Sequence, residues 1–338
     1  MHDPIQYANL IAAQALEPDA MTRALLSRLT GKPASRQAFG VMQFGGKADA
    51  DDSAALYAEA RSAGITIFDA AHIYTEGRAE DILGALTEAE GTRDALILTS
   101  KCGYQPGQDG AAVTAQVWES LQRLRTDRVD ILFLHRYPGD ALLDDVLAAM
   151  AALYQAGAFT CLGVSNFAAW EVMKAQARGA ALGAPPITVL QPMYNLVKRQ
   201  AEVEILPMAA REGMAVLPYS PLGGGLLSGK YSVGGTGRLT EDGRYRARYG
   251  ARWMHDAAAA LSALGAELGQ PAAALAVAWC AAHPAVSAPI VSASRSEQLA
   301  PSLGAADLAL DRDLYARMAA LTPTPPPATD RLEEAAPI

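Results

Sequence analysis

Short apolar runs alternate with longer alanine-rich stretches along most of this chain. The runs are Ala38–Val41, Ile65–Phe68, Ala95–Leu98, Ile131–Leu134, Cys161–Val164, Thr188–Leu190, Ala215–Leu217 and Ala288–Val291. They are short and continuous, the pattern of strands buried on both faces. Between them, apolar residues recur at helical spacing. Asp52–Ala63 follows candidate caps at Asp49, Asp51 and Asp52 and stops at Gly64. Ala141–Ala156 puts Leu142, Val146, Met150 and Leu153 on one face ahead of Gly157, and Pro271–Ala282 opens with proline at a first helical position. Eight strand–helix units in about 270 residues is the size of a single-domain (β/α)8 TIM barrel. An open doubly wound sheet fits the same alternation.

Three segments break the pattern. Residues 1–35 precede the first strand, and Leu10, Ile11, Leu25 and Leu26 suggest an appended helix. Residues 219–252 form a Gly- and Arg-containing excursion after strand seven, too long for an ordinary connection and expected to be a functional loop. Residues 323–338 are a proline-rich, acidic tail. The barrel itself is expected over 36–322.

Composition narrows the setting. Of 338 residues 51% are hydrophobic and 19% charged, enough for a large core. Lys plus Arg number 28 against 36 Asp plus Glu, and a net charge of −8 without a basic run argues against a nucleic-acid partner. Cys102, Cys161 and Cys280 are odd in number and far apart, which fits reduced thiols in a cytoplasm. The apolar stretch Ala272–Ala282 is too short to span a bilayer, and the N-terminus lacks a signal-peptide pattern, so no membrane partner is expected. The sequence leaves the oligomeric state open.

In a parallel barrel the reactive groups stand at the strand C-termini. Asp69 follows Phe68, Tyr74 lies five residues on, Lys101 follows Leu98-Thr99-Ser100, and His135 follows Leu134. Each alone reads as a cap, a solvated lysine or a core histidine. Together they make a proton-transfer site. A tyrosine, with an unperturbed pKa near ~10, donates a proton only if its phenolate is stabilised. An ammonium at ~4 Å, worth ~4 kcal/mol at an effective dielectric of ~20, would lower that pKa. Asp69 supplies the anion that keeps the lysine charged, and His135 can hydrogen-bond a substrate oxygen.

Other motifs are absent or incomplete. No HExxH or CxxC marks a metal site, and no GxSxG marks a nucleophile elbow. Gly224–Lys230 matches the first seven positions of a P-loop, but Tyr231 stands where Ser or Thr is required. Ser228 stands where a third glycine would complete GxGxxG from Gly223. Later strand ends carry Ser165, Asn166, Gln191 and Tyr219, whose amides, hydroxyl and ring suit a carboxamide and a flat heterocycle. Hydroxyls and Arg295 ahead of a predicted helix suit a phosphate.

These residues resemble the aldo-keto reductase superfamily. FDAAHIYTEGRAEDILG, LTSKCG, DILFLH, GVSNF, QPMYNL, LPYSPLGGGLLSGKY and ASRSEQL occur in that family's order and spacing, from Arg36 to Leu310. The resemblance implies a (β/α)8 barrel that binds NADP(H), with NAD(H) the lesser expectation. It also implies hydride transfer between nicotinamide and a small-molecule carbonyl or alcohol substrate. By family role Tyr74 is the general acid/base, Lys101 tunes it, Asp69 pairs with Lys101, and His135 orients the carbonyl. Ser165, Asn166 and Gln191 match the carboxamide-binding positions and Tyr219 the stacking ring. Gly40, Val41, Met42, Ser220, Pro221, Leu222, Gly223, Gly224, Lys230 and Arg238 match other cofactor-facing positions. Ser292, Ser294, Arg295, Gln298 and Ser302 match the adenosine-phosphate segment. Ser302 replaces a common Asn, Pro301 a common acid, and Ser292 a common Gly or Lys. Variable loops set substrate choice, here at Phe44, Tyr104, Arg136, Tyr137 and Trp253. The family also resembles potassium-channel β-subunits, so an NADP(H)-binding regulatory subunit is the alternative expectation. A Schiff-base aldolase with Lys101 as nucleophile is a third.

Overall fold

A computed structural model describes residues 18–331. Eight parallel strands run in the order β7-β6-β5-β4-β3-β2-β1-β8. They are β1 (Ala38–Gly40), β2 (Ile67–Asp69), β3 (Ile97–Cys102), β4 (Val129–Leu134), β5 (Phe159–Ser165), β6 (Ile187–Gln191), β7 (Ala215–Val216) and β8 (Ile290–Val291). The sheet curls until its ends meet. Ser287 N donates to Val216 O at 2.8 Å and Ile290 N to Pro218 O at 2.9 Å, and Tyr219 bridges Ile290.

Each of the eight expected runs overlaps a strand. Four were placed short at their polar ends, because Asp69, Lys101, Ser165 and Gln191 belong to the strands and do not merely follow them. A barrel strand alternates between an outer face under helices and an inner face in the lumen. Phe39, Phe68, Leu98, Leu132, Leu162, Leu190, Val216 and Val291 face outward into the main core. Ala38, Ile67, Ile97, Ile131, Phe133, Cys161, Val189, Ala215, Leu217, Ala288 and Ile290 form a separate inner cluster. Gly163 makes room there: a Cβ on it would stand 2.5 Å from the Phe133 ring.

The first helix is α1 (Pro18–Thr30), and the outer face is covered by α2 (Ala50–Ser62), α3 (Arg78–Glu90), α4 (Gly110–Arg123), α5 (Asp140–Gln155), α6 (Ala169–Ala181) and α7 (Ile205–Glu212). Asp49 caps α2 by accepting from Asp52 N, as expected. The helix α1 instead closes one end of the lumen. Leu26 is fully buried within the inner cluster, and the Cys161 thiol donates to Leu29 O at 3.2 Å. Leu10 and Ile11 lie outside the described residues.

Beyond β7, residues 219–252 are not one open loop. They hold two 3₁₀ turns, Gly223–Ser228 and Lys230–Val233, then α8 (Arg238–Glu241) and α9 (Gly243–Tyr249). Next come α10 (Arg252–Leu268), α11 (Ala272–Ala281), α12 (Ser296–Leu303) and α13 (Arg312–Ala319). Pro271 is the extended cap before α11 and not its first helical residue. Among the described residues no single helix is long and apolar enough to cross a membrane. The α10–α11 pair is bent by 102°, and most of α11 is buried.

Candidate active site

The inner face turns polar at the C-terminal end of the barrel. Two residues beyond Ile67, Ile97 and Val189 on the same face stand Asp69, Thr99 and Gln191, and Lys101 stands two further on. All four are buried.

They converge on one ion pair. Lys101 Nζ donates to Asp69 Oδ2 at 2.7 Å, to Ala70 O at 2.7 Å and to Tyr74 OH at 3.1 Å. Asp69 Oδ1 accepts from Thr99 Oγ1 at 2.7 Å and Gln191 Nε2 at 2.8 Å. Both carboxylate oxygens and all three ammonium protons are therefore satisfied, as a buried pair requires. Burial alone would push the Lys101 ammonium down, but Asp69, then Tyr74, hold it above the usual lysine range. With its three protons so engaged, Lys101 is held as an ammonium, which speaks against the Schiff-base nucleophile expected as the third reading.

Tyr74 differs from expectation in its sign. Burial raises its pKa, and the opposing pull of Lys101 does not offset this, so the phenol sits above its ordinary value. A half-buried phenol loses part of the water that would solvate its anion. At neutral pH the group is thus a held proton beside a fixed cation.

His135 completes the cluster from the end of β4, its ring 6.1 Å from Tyr74 and edge-on. Burial, then Lys101 and Arg136, push it down to about 2, so the imidazole is neutral. Its Nδ1 is buried without a protein partner. A neutral ring can offer one N–H to a substrate oxygen. Tyr104 packs against His135 at 4.9 Å. A cavity of about 260 Å³ opens beside Lys101, lined also by His72, Ile73, Tyr104, Gln116 and Arg123.

The later strand ends form a second, connected group. Tyr219 OH donates to Asn166 Oδ1 at 2.7 Å, and Asn166 Nδ2 donates to His135 O at 3.0 Å and Ser165 Oγ at 3.1 Å. Ser165 Oγ donates to Gln191 O at 2.9 Å. Asn166 and Ser220 carry φ of 59°, left-handed conformations that are rare away from glycine and that directly follow β5 and the β7 extension. The Gln191 amide nitrogen is committed to Asp69, which leaves its carbonyl oxygen as the free half.

Toward β8 the donor set suits a phosphorylated dinucleotide. Lys230 is lowered by burial and then by Arg238, with Glu241 acting in the other direction, and neither Lys230 nor Arg238 forms an ion pair among the described residues. Two cations so brought together suit an anion. Gly223 and Gly224, with φ of 56° and 67°, let the backbone turn between them and Pro221–Leu222; a Cβ on Gly224 would stand 2.7 Å from Tyr245. Arg238 Nη1 donates to Tyr245 OH at 3.4 Å. The helix expected after β8 begins at Ser296, with Arg295 as its extended cap and Ser294 bonded to Gln298 Oε1. Ser292 Oγ and Ser302 Oγ are buried without partners, two orphaned hydroxyls. Val41 N donates to the backbone carbonyl of Asp69 at 3.0 Å and Gly40 lies in register with Asp69, which sets the end of β1 beside the strand that carries the ion pair; Met42 follows, half-buried.

Of the expected substrate-facing residues, Phe44 points elsewhere and Tyr137 is engaged by its neighbours. Phe44 is fully buried and packs on Phe39 in the outer core. Tyr137 donates to Asp140 and packs on Phe167 and Trp170. Thr99 was missed, although its place two residues before Lys101 puts it on the same face.

Comparison with known proteins agrees with this architecture. The family model "Aldo/keto reductase family" matches residues 38–323. An uncharacterized oxidoreductase, YrpG, of Bacillus subtilis (strain 168) is 30% identical over 315 residues, covering 88% of this chain and 94% of its own. Aflatoxin B1 aldehyde reductase member 4 of Homo sapiens is 34% identical over 231 residues, 68% of this chain and 69% of its own. A probable voltage-gated potassium channel subunit beta of Arabidopsis thaliana is 30% identical over 296 residues, 82% and 89% respectively. The chain belongs to the aldo/keto reductase family.

Proposed function

We propose that this protein is an NADP(H)-dependent carbonyl reductase, equally the alcohol dehydrogenase in reverse, with Tyr74 as the general acid/base. One observation carries the reading: Lys101 Nζ lies 2.7 Å from Asp69 and 3.1 Å from Tyr74 OH inside a buried site. Reduced nicotinamide, when bound, supplies the hydride; this chain supplies the proton and the placement.

The phenol holds its proton until charge develops on a carbonyl oxygen. As the proton leaves, the phenolate meets an ammonium already held in place. At 3.1 Å and an effective dielectric of ~20 that contact is worth about 5 kcal/mol. Asp69 keeps Lys101 charged, and Thr99 and Gln191 keep Asp69 in place. Neutral His135 offers a hydrogen bond and sets the oxygen's position.

The residues proposed to hold the cofactor are Ser165, Asn166, Gln191 and Tyr219 at the nicotinamide, Ser220–Gly224, Lys230 and Arg238 at the pyrophosphate, and Ser292, Ser294, Arg295, Gln298 and Ser302 at the adenosine end. Arg295 is exposed and has no carboxylate partner among the described residues, which supports NADP(H) over NAD(H). The three cysteines are free and buried, which supports a reducing cytoplasm.

Titration of the protein with NADPH and separately with NADH, read by quenching of tryptophan fluorescence, tests the cofactor half. NADPH should bind more tightly, and Arg295→Ala should narrow the difference. Multiple turnovers of NADPH oxidation with simple aldehydes test the chemistry; binding without turnover would contradict the enzyme reading.

A further inference from the structure

We infer that the carbonyl substrates of this site carry a carboxylate, and that Arg136 on the barrel rim binds it. This deepens the reductase reading and rests on it for the position of the reacting carbon.

Arg136 directly follows His135, so its backbone is fixed at the end of β4. Its side chain is exposed but not loose. The guanidinium carbon lies 4.0 Å from the centre of the Tyr104 ring, and Nη2 donates to Tyr104 OH at 2.8 Å. Tyr104 in turn packs on His135 at 4.9 Å. The cation therefore stands one aromatic ring away from the group that would orient the carbonyl.

What is missing around Arg136 is a counter-ion. Arg78, Arg123, Arg178, Arg199, Arg244 and Arg317 each pair with a carboxylate, whereas none lies within ion-pair distance of Arg136 among the described residues. Asp140, four residues on, is engaged by Lys174 and Tyr137. On a chain with net charge −8, a guanidinium fixed by a ring and lacking a carboxylate points outward to an anionic ligand. Stacking holds the planar fork while leaving Nε and Nη1 without protein acceptors, and a carboxylate fits that fork. A second uncompensated cation, Arg248, stacks over Tyr245 and acts on the Tyr219 phenol, adding positive potential at the same rim.

The test compares 4-formylbenzoate with its neutral isostere 4-formylbenzamide, using NADPH and the full chain. Wild type should favour the acid in kcat/KM by about tenfold to a hundredfold, the effect of one charge-assisted contact. In Arg136→Gln the acid-to-amide ratio should fall toward one, through KM of the acid, while Arg136→Lys should retain part of it. A wild-type ratio near one, or a ratio unmoved in Arg136→Gln, would overturn the assignment. Calorimetry with benzoate and benzamide reads the same preference without turnover. An Arg136-dependent advantage for benzoate, with neither aldehyde reduced, would overturn the reductase reading and keep the charge selection. No such advantage would overturn the charge selection itself.

Discussion

Gln191 Nε2 donates to Asp69 Oδ1 at 2.8 Å, across 122 positions of sequence and from β6 to β2. The contact crosses the lumen, so the carboxylate that fixes Lys101 is itself fixed from the far wall. A barrel allows this because strand ends that are remote in the chain face one another.

This arrangement predicts an ordered set of stabilities. Asp69→Asn leaves Lys101 buried without its anion and should cost about 3–5 kcal/mol. Gln191→Leu removes one of several bonds to Asp69 and should cost about 1 kcal/mol. The double variant Asp69→Asn with Lys101→Met should be more stable than Asp69→Asn alone, since no uncompensated charge remains. Urea denaturation of the three variants checks the order.

Gly163→Ala should destabilise by about 1–3 kcal/mol, because the new methyl would overlap the Phe133 ring at 2.5 Å and approach Val189 O at 3.0 Å. Phe133→Leu added to it should recover part of the loss by freeing that space. A thermal melt that Gly163→Ala leaves unmoved would show that the lumen is looser than its packing implies.

Stability should fall with acid through His135. Its folded value, about 2, lies below the ordinary histidine value near ~6.5. The unfolded chain therefore binds the extra proton between those limits, and folding weakens as pH drops below about 6.5. At pH 5 this one group should reduce stability by about 2 kcal/mol relative to pH 7. Urea curves for wild type and His135→Gln at both pH values should differ by that amount, with the variant flatter.

Much of this molecule was legible before its structure. Strands buried on both faces must be apolar throughout, so all eight announced themselves, and Asp69, Tyr74, Lys101 and His135 stood out as chemistry at their ends. The strand ends were misplaced for one reason. Lys101 and Gln191 are polar because they face the site, and polarity in a sequence reads as the end of a strand. The helices within 219–252 were hidden for another. Their order comes from tertiary contacts, such as Tyr249 buried whole and Tyr245 over Gly224, and not from periodicity. The closing role of α1 likewise needs the lumen it plugs. The sign of the Tyr74 shift needed burial, which spacing along a chain does not reveal.

The central claim is that Tyr74 delivers the proton. Tyr74→Phe removes one hydroxyl and keeps the ring that packs beside His135, so folding and NADPH binding should persist. Single-turnover reduction of an aldehyde by this variant, with NADPH prebound, should be slower than wild type by about 10²–10⁴-fold. A single-turnover rate within a few-fold of wild type, with intact NADPH binding, would contradict the account.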